Sequence, residues 1–351
     1  MRFHPSEEQL AIQDAVRGTL ADVWPMERVQ GFVDGEADFD PESWQALMGL
    51  GLGGLLLPEE KGGAGLGLLD AAMVAEVAGQ AAAAGPLAAQ MLTAMIVGQS
   101  DTTAAHVHLD ALASGESIAT FAFGGNWLPG TWDATPEAGV VRFVQSANAA
   151  TLFLLGTAGG GIALVEAGEG ITIDPVRSSD RTRRLSSVTF TGAKAYQLFE
   201  AGDPYVAQIF DAALVLVAAD ALGGAQYCVD LSVAYAKERE QFGQPIGRFQ
   251  ALKHQLAQMA LEIEPARALV WYAGYAQDAG LADAARAAAM AKAHLVDRFV
   301  SVARAAVAAH GGIGYTWEYG LNNWFRRSLF DRAYLGSPAI HRARAADMAG
   351  W

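Results

Sequence analysis

The sequence predicts an α+β multidomain protein with an α–β–α layout: an N-terminal helical domain over 1–115, a middle β-domain over 116–202 and a C-terminal helical bundle over 203–351. Three observations carry that reading. Helix-start signals and helical spacing recur through the first segment, short apolar runs separated by turn clusters fill the second, and long helical stretches return in the third.

In the first segment, Ser6-Glu7-Glu8-Gln9 is a capping box, in which Ser6 caps a helix and Gln9 reaches back. Leu10, Ala11, Asp14, Ala15, Val16 and Leu20 carry a mixed stripe until Pro25. Asp40-Pro41 repeats the start signal, an acidic N-cap followed by proline at the first helical position, for a helix to about Gly49. A glycine-rich connection follows, and Asp70 starts a helix through Met73, Val74 and Val77.

The middle segment contains runs at Ile118–Phe123, Val140–Val144, Thr151–Leu155, Ile162–Val165 and Val188-Thr189-Phe190. Turn clusters divide them, among them Gly159-Gly160-Gly161, which reads as a hairpin turn and lacks the strand–glycine–helix context of a dinucleotide fingerprint. The spacing predicts a compact antiparallel sheet or small barrel. In the third segment Asp211–Glu238 contains no proline and is long enough to cross a domain. Helices follow over about Arg248–Gly280, bent near Pro265, and about Asp283–Ala309, ending at Gly311-Gly312 as a left-handed C-cap. Ser337-Pro338 opens a last short helix.

Composition narrows the function classes. Hydrophobic residues at 52% and charged residues at 18% belong to a folded chain, not a disordered one. With 24 basic against 38 acidic residues the formal charge is −14, which argues against nucleic-acid binding. The single cysteine, Cys228, allows no internal disulfide and reads as a small core residue. The start, Met1 to Glu8, lacks the apolar core of a signal peptide, and the best apolar run, 205–225, is interrupted by Asp211 and Asp220. A cytoplasmic protein with no membrane span is expected. No acid–histidine spacing suggests a metal site, and His310 reads as a capping or core histidine.

Two motifs carry a resemblance. Tyr235-Ala236-Lys237-Glu238-Arg239-Glu240-Gln241-Phe242-Gly243-Gln244-Pro245-Ile246-Gly247 and His310-Gly311-Gly312-Ile313-Gly314-Tyr315-Thr316 resemble the acyl-CoA dehydrogenases. Leu57-Pro58-Glu59-Glu60-Lys61-Gly62-Gly63 matches that family's N-terminal domain, so the resemblance spans almost the whole chain. It implies a C-terminal four-helix bundle, FAD held in extended form between subunits, and a tetramer. It also implies that Arg239, Gln241 and Phe242 contact a neighbour's FAD, with Gly311 and Gly312 admitting a phosphate or adenosine group. A guanidinium suits a pyrophosphate, and glycines allow close backbone approach. Taken alone, Arg239 between Glu238 and Glu240 would read as a solvated residue, and Gly311-Gly312 as a helix stop.

The resemblance also shows what is missing. Family members remove an α-proton from an acyl-CoA with a carboxylate while flavin accepts the β-hydride, so the protein must supply base and alignment. The base of many members falls here on Leu335, in Tyr334-Leu335-Gly336-Ser337. The alternative base, thirteen residues before a Gln matching Gln226, falls on Ala213. Asp220 and Asp211 share that helix and are weak candidates for a substitute base; a salt bridge, solvation or capping explains them equally simply. The flavin-cradling loop corresponds to Ala122–Gly130, without its threonine, acid and serine, and a frequent FAD-contacting Gln is Ala308. The chain is short for the family, with the shortening expected in the β-domain.

These losses resemble the second chain of actinobacterial acyl-CoA dehydrogenases built from two different subunits, some acting on steroid side-chain CoA thioesters. The expectation is a base-lacking subunit of an α2β2 heterotetramer, sharing FAD with a catalytic partner and contributing to α,β-dehydrogenation of an acyl-CoA. Three other readings stand beside it: a self-sufficient homotetramer with an unusual carboxylate, a flavin-free structural or acyl-binding protein, and flavin monooxygenase chemistry, which the same fold supports.

Overall fold

The computed structural model describes residues 4–351. Six helices make up the N-terminal region: α1 (Glu7–Val23), α2 (Met26–Asp34), α3 (Pro41–Gly49), α4 (Leu68–Gln80), α5 (Leu87–Gln99) and α6 (Leu109–Ser114). The Ser6–Gln9 capping box forms, with Gln9 N–H donating to Ser6 Oγ at 3.1 Å and Ser6 N–H to Gln9 Oε1 at 2.9 Å. The Asp40 carboxylate caps α3 through Ser43 N–H at 2.8 Å. Asp70 acts one turn later than expected. It sits at the third position of α4 and reaches back to Gly67 N–H, while Asp278 caps the amides of Leu68 and Leu69 from another helix. Met1, Arg2 and Phe3 of the chain start lie outside the described residues.

The middle region holds seven strands: β1 (Ala119–Ala122), β2 (Gly139–Gln145), β3 (Leu152–Thr157), β4 (Gly161–Glu166), β5 (Ile171–Val176), β6 (Leu185–Phe190) and β7 (Ala195–Phe199). They divide into two sheets, ordered β1-β3-β4-β7 and β2-β6-β5, instead of one. The expectation of purely antiparallel pairing needs correction as well, because β1 runs parallel to β3. That pairing is possible because the chain between them crosses through β2 in the other sheet. The Gly159-Gly160 turn does join β3 to β4 as a hairpin. Strands β5 and β7 escape a hydrophobic scan because they lie mostly half-buried or exposed.

The C-terminal helices are α7 (Pro204–Glu238), α8 (Gln250–Asp278), α9 (Ala284–His310), α10 (Asn322–Ala333) and α11 (Pro338–Met348), with a two-residue hairpin of β8 (Glu240–Gln241) and β9 (Gln244–Pro245) after α7. Pro265 lies inside α8. Among the described residues α7 alone is long and apolar enough to cross a membrane, but 89% of its most apolar window is buried inside this fold. Its 35 residues span roughly 50 Å and pack against α4, α8 and α9. Side-chain-free glycines permit the tightest crossing: a Cβ at Gly79 would overlap the Asp220 carbonyl, and one at Gly223 the Glu76 carbonyl. Gly311 ends α9 with φ 63° and ψ −139°, so it leaves in a glycine-favoured conformation but not the left-handed helical one expected.

Candidate functional site: a sealed cleft and an open hairpin

The stretches that correspond to the flavin loop and the two base positions converge between the β-region and α7. Ala213 and Leu335 are both fully buried. Neither side chain can accept a proton. Leu335 has φ 57°, a conformation that costs a branched side chain energy and persists only when its surroundings enforce it. The enforcement comes from α11: His341 Nε2–H donates to the Leu335 carbonyl at 2.9 Å. The buried Lys292 ammonium donates to the Asp331 carbonyl at 2.6 Å and reaches the Gly336 carbonyl at 3.4 Å. Burial, with Lys292 and Arg344 nearby, pushes the His341 imidazole down to about 4, and burial lowers Lys292 to about 7 against the pull of Asp331.

The cleft is filled from both sides. Trp127, in the loop after β1, meets the Tyr334 ring edge-on at 5.3 Å, and Tyr334 stacks on Phe330 at 4.9 Å. Arg183 then lies over the Phe330 ring at 5.4 Å. Behind the same loop, Trp132 stacks on Phe123 at 4.7 Å and Phe123 on Phe121 at 4.9 Å. The column ends in ions. Arg183 donates to Asp220 Oδ1 at 2.8 Å, and Arg327 to Asp220 Oδ2 at 2.9 Å and Oδ1 at 2.5 Å. Arg327 also donates to the Ala83 carbonyl at 3.0 Å and Thr182 Oγ1 at 3.1 Å. All of these side chains are buried.

Burial alone would raise the Asp220 carboxyl, but Arg183 and Arg327 outweigh it and hold it at about 2. A carboxylate clamped by two guanidiniums is a weak base. Asp331, 3.9 Å from Arg183, is raised well above the usual carboxylate range by burial and by Asp220. Asp211 lies apart, 2.6 Å from Arg344, with its carboxyl pushed by burial to about 6. What space remains beside Asp220, Arg327, Gln145 and Tyr334 is about 40 Å³. That volume suits a water or two, whereas small-molecule pockets run to about 300–1,000 Å³. That gap beside Asp220 holds neither a flavin ring nor an acyl chain.

Sequence reading missed Arg183, Arg327, Asp331, Lys292 and His341. One signal was present: Trp324, Arg327, Ser328 and Asp331 fall at helical core spacing, so two charged residues occupy core positions of α10.

The second cluster faces outward. Arg239, Gln241 and Phe242 are exposed, Phe242 at 91%. The Arg239 guanidinium has no ion-pair or hydrogen-bond partner among the described residues; only its backbone is engaged, with Tyr235 O and Ile246 N–H, each at 2.8 Å. Phe242 and Gly243 occupy the turn between β8 and β9 with φ of 53° and 78°. Positive φ at both centres defines a type I′ turn, where Asn-Gly is the usual choice. A Cβ at Gly243, Gly311 or Gly312 would meet nothing within 4 Å, so the glycine turn opens onto free space. These residues fit a shared cofactor: an unpaired guanidinium, an exposed aromatic ring and an open backbone turn are what a diphosphate and an aromatic base require.

Comparison with known proteins agrees with this frame. The N-terminal domain of the acyl-CoA dehydrogenases matches residues 6–116 and their C-terminal domain residues 200–349, flanking the strands. Acyl-CoA dehydrogenase IpdE2 of Mycolicibacterium smegmatis is 33% identical over 337 residues, covering 95% of this chain and 96% of that protein. Acyl-CoA dehydrogenase FadE34 of Mycobacterium tuberculosis is 32% identical over 98% of this chain, which spans only 48% of that relative. A solved variant of the Tcur3481-Tcur3483 steroid ACAD superposes with a TM-score of 0.88 at 28% identity, covering 98% of each chain. The chain belongs to the acyl-CoA dehydrogenase family, flavoprotein oxidoreductases acting on CH–CH donors.

Proposed function

We propose that this chain is the base-lacking subunit of a heteromeric, FAD-dependent acyl-CoA dehydrogenase, an α2β2 assembly acting in the cytoplasm. The observation that carries the reading is the contrast between two base positions filled by buried, non-titratable Leu335 and Ala213 and a hairpin whose Arg239 stands exposed and unpaired. FAD, when bound by the assembly, supplies the hydride acceptor. This chain's part is to bind and orient: Arg239 pairs with the cofactor's diphosphate, Gln241 and Phe242 contact its nucleotide portion, and Gly311-Gly312 leave room for it. The α-proton goes to a carboxylate of the catalytic partner, because Leu335 and Ala213 offer none here.

Steroid side-chain CoA thioesters are the favoured substrate class of the assembly. The support is the likeness, at 28% identity, to the Tcur3481-Tcur3483 steroid ACAD. Arg183 and Arg327 weigh against the self-sufficient reading, since they hold Asp220 ionised and inaccessible. The test is purification of the chain alone and with a co-expressed acyl-CoA dehydrogenase-family chain that carries the base. FAD retained only by the mixed complex supports the proposal; steady turnover by the homomer overturns it.

A further inference from the structure

The two cofactor-facing motifs lie far apart in sequence, yet one side chain joins them. His310 is the last residue of α9, directly before Gly311, and is 3% exposed. Its ring stacks on Tyr235 at 4.5 Å with 27° between planes. Tyr235 is one helical turn before Arg239, whose N–H it binds through its carbonyl. Tyr319, from the loop after the glycine turn, packs on His310 at 5.1 Å and on Tyr235 at 6.3 Å. The imidazole is fixed in rotation, because Nδ1–H donates to the Ala306 carbonyl at 2.7 Å. The far side of the loop is tied down too, with Trp317 Nε1–H donating to Asp34 at 3.0 Å.

We propose that His310 is a positioning residue that locks the Arg239–Phe242 hairpin to the Gly311–Gly312 turn, so that both address one cofactor molecule. This inference rests on the partner-subunit reading above. No contact of His310 with the cofactor is needed, since the ring is covered by Tyr235 and Tyr319. Its effect is preorganisation: a hairpin loose against the turn is competent for only a fraction of the time, and apparent affinity falls by that fraction. An aromatic stack contributes about 0.5–1.5 kcal/mol, which corresponds to a loss of roughly 2- to 10-fold.

The test uses the full chain co-expressed with a base-carrying acyl-CoA dehydrogenase-family chain, stripped of flavin and titrated with FAD by fluorescence. His310→Ala should weaken FAD binding by about 5- to 10-fold. His310→Phe, which keeps the stack and loses the Ala306 bond, should recover affinity to within about 3-fold. Hydrogen exchange on the chain alone should rise in His310→Ala at both 239–247 and 311–316, with α4 and α5 unchanged. Arg239→Ala separates the two claims. If it weakens FAD while His310→Ala leaves affinity and exchange at wild-type values, the positioning role is wrong and the partner reading stands. If Arg239→Ala has no effect on FAD, the partner reading falls and this inference with it. Failure of His310→Phe to recover affinity would also overturn the stack as the cause.

Discussion

Two regions of one helical bundle have diverged in opposite directions. Near Leu335 aromatic rings pack on one another, and Asp220 sits buried between Arg183 and Arg327. At the end of α7 the hairpin presents Arg239 and Phe242 to solvent, with Phe242 in a conformation that aromatic residues avoid. A packed interior favours stability, whereas exposed, unpaired and strained residues cost stability and leave groups free for contact.

The largest effect should come from opening the sealed region. Asp220→Ala leaves two buried guanidiniums uncompensated, and breaking such a pair typically costs about 3–5 kcal/mol. Denaturant unfolding should show that loss, whereas a change under about 1 kcal/mol would mean that the network is not what closes the cleft. Next comes the hairpin. Arg239→Ala should weaken FAD binding by the mixed complex about 10-fold or more, on the scale of one charge-assisted hydrogen bond, while leaving the chain's own melting temperature unchanged. A matching fall in melting temperature would assign Arg239 to the fold instead.

The third prediction concerns pH. His341 has a depressed folded-state pKa of about 4 against an ordinary 6.5, so the unfolded chain binds the proton more readily. Its contribution is complete above about 6.5 and is lost as pH falls toward about 4, on the order of 3 kcal/mol in full. Asp211, raised to about 6, pulls the other way over much of that window, so the measurement is the difference between wild type and His341→Gln, which can still donate to Leu335 O: wild type should lose stability relative to the variant as pH falls from about 6.5 toward about 4. The smallest effect is expected at the turn. Phe242→Asn suits a type I′ turn and should stabilise the chain by about 0.5–1 kcal/mol while weakening cofactor binding. A variant neutral in both would remove the functional explanation for an exposed phenylalanine there.

How much of this was legible in the sequence follows from the kind of interaction involved. Ser6–Gln9 and Asp40-Pro41 are local, and the structure realises both at the expected residues. Asp70 was displaced by one turn because its N-cap competitor, Asp278, arrives from a helix more than two hundred positions away. The parallel β1–β3 pairing was hidden for the same reason, since alternation says nothing of which strand lies alongside. The hairpin and glycine-turn motifs stood out as strings, but their union through His310 is a contact in space. That Leu335 and Ala213 carry no titratable group is plain in the sequence; what packs beside them is not. Arg183, Arg327 and Asp331 look like surface residues until the fold buries them together.

The most direct test is flavin stoichiometry with native mass, taken on the chain alone and on the chain co-expressed with a base-carrying acyl-CoA dehydrogenase-family chain. The account requires a mixed tetramer that holds fewer than one FAD per chain, with none retained by this chain by itself. A homotetramer carrying one tightly bound FAD per chain would contradict it, because the sealed cleft would then have to open around a flavin.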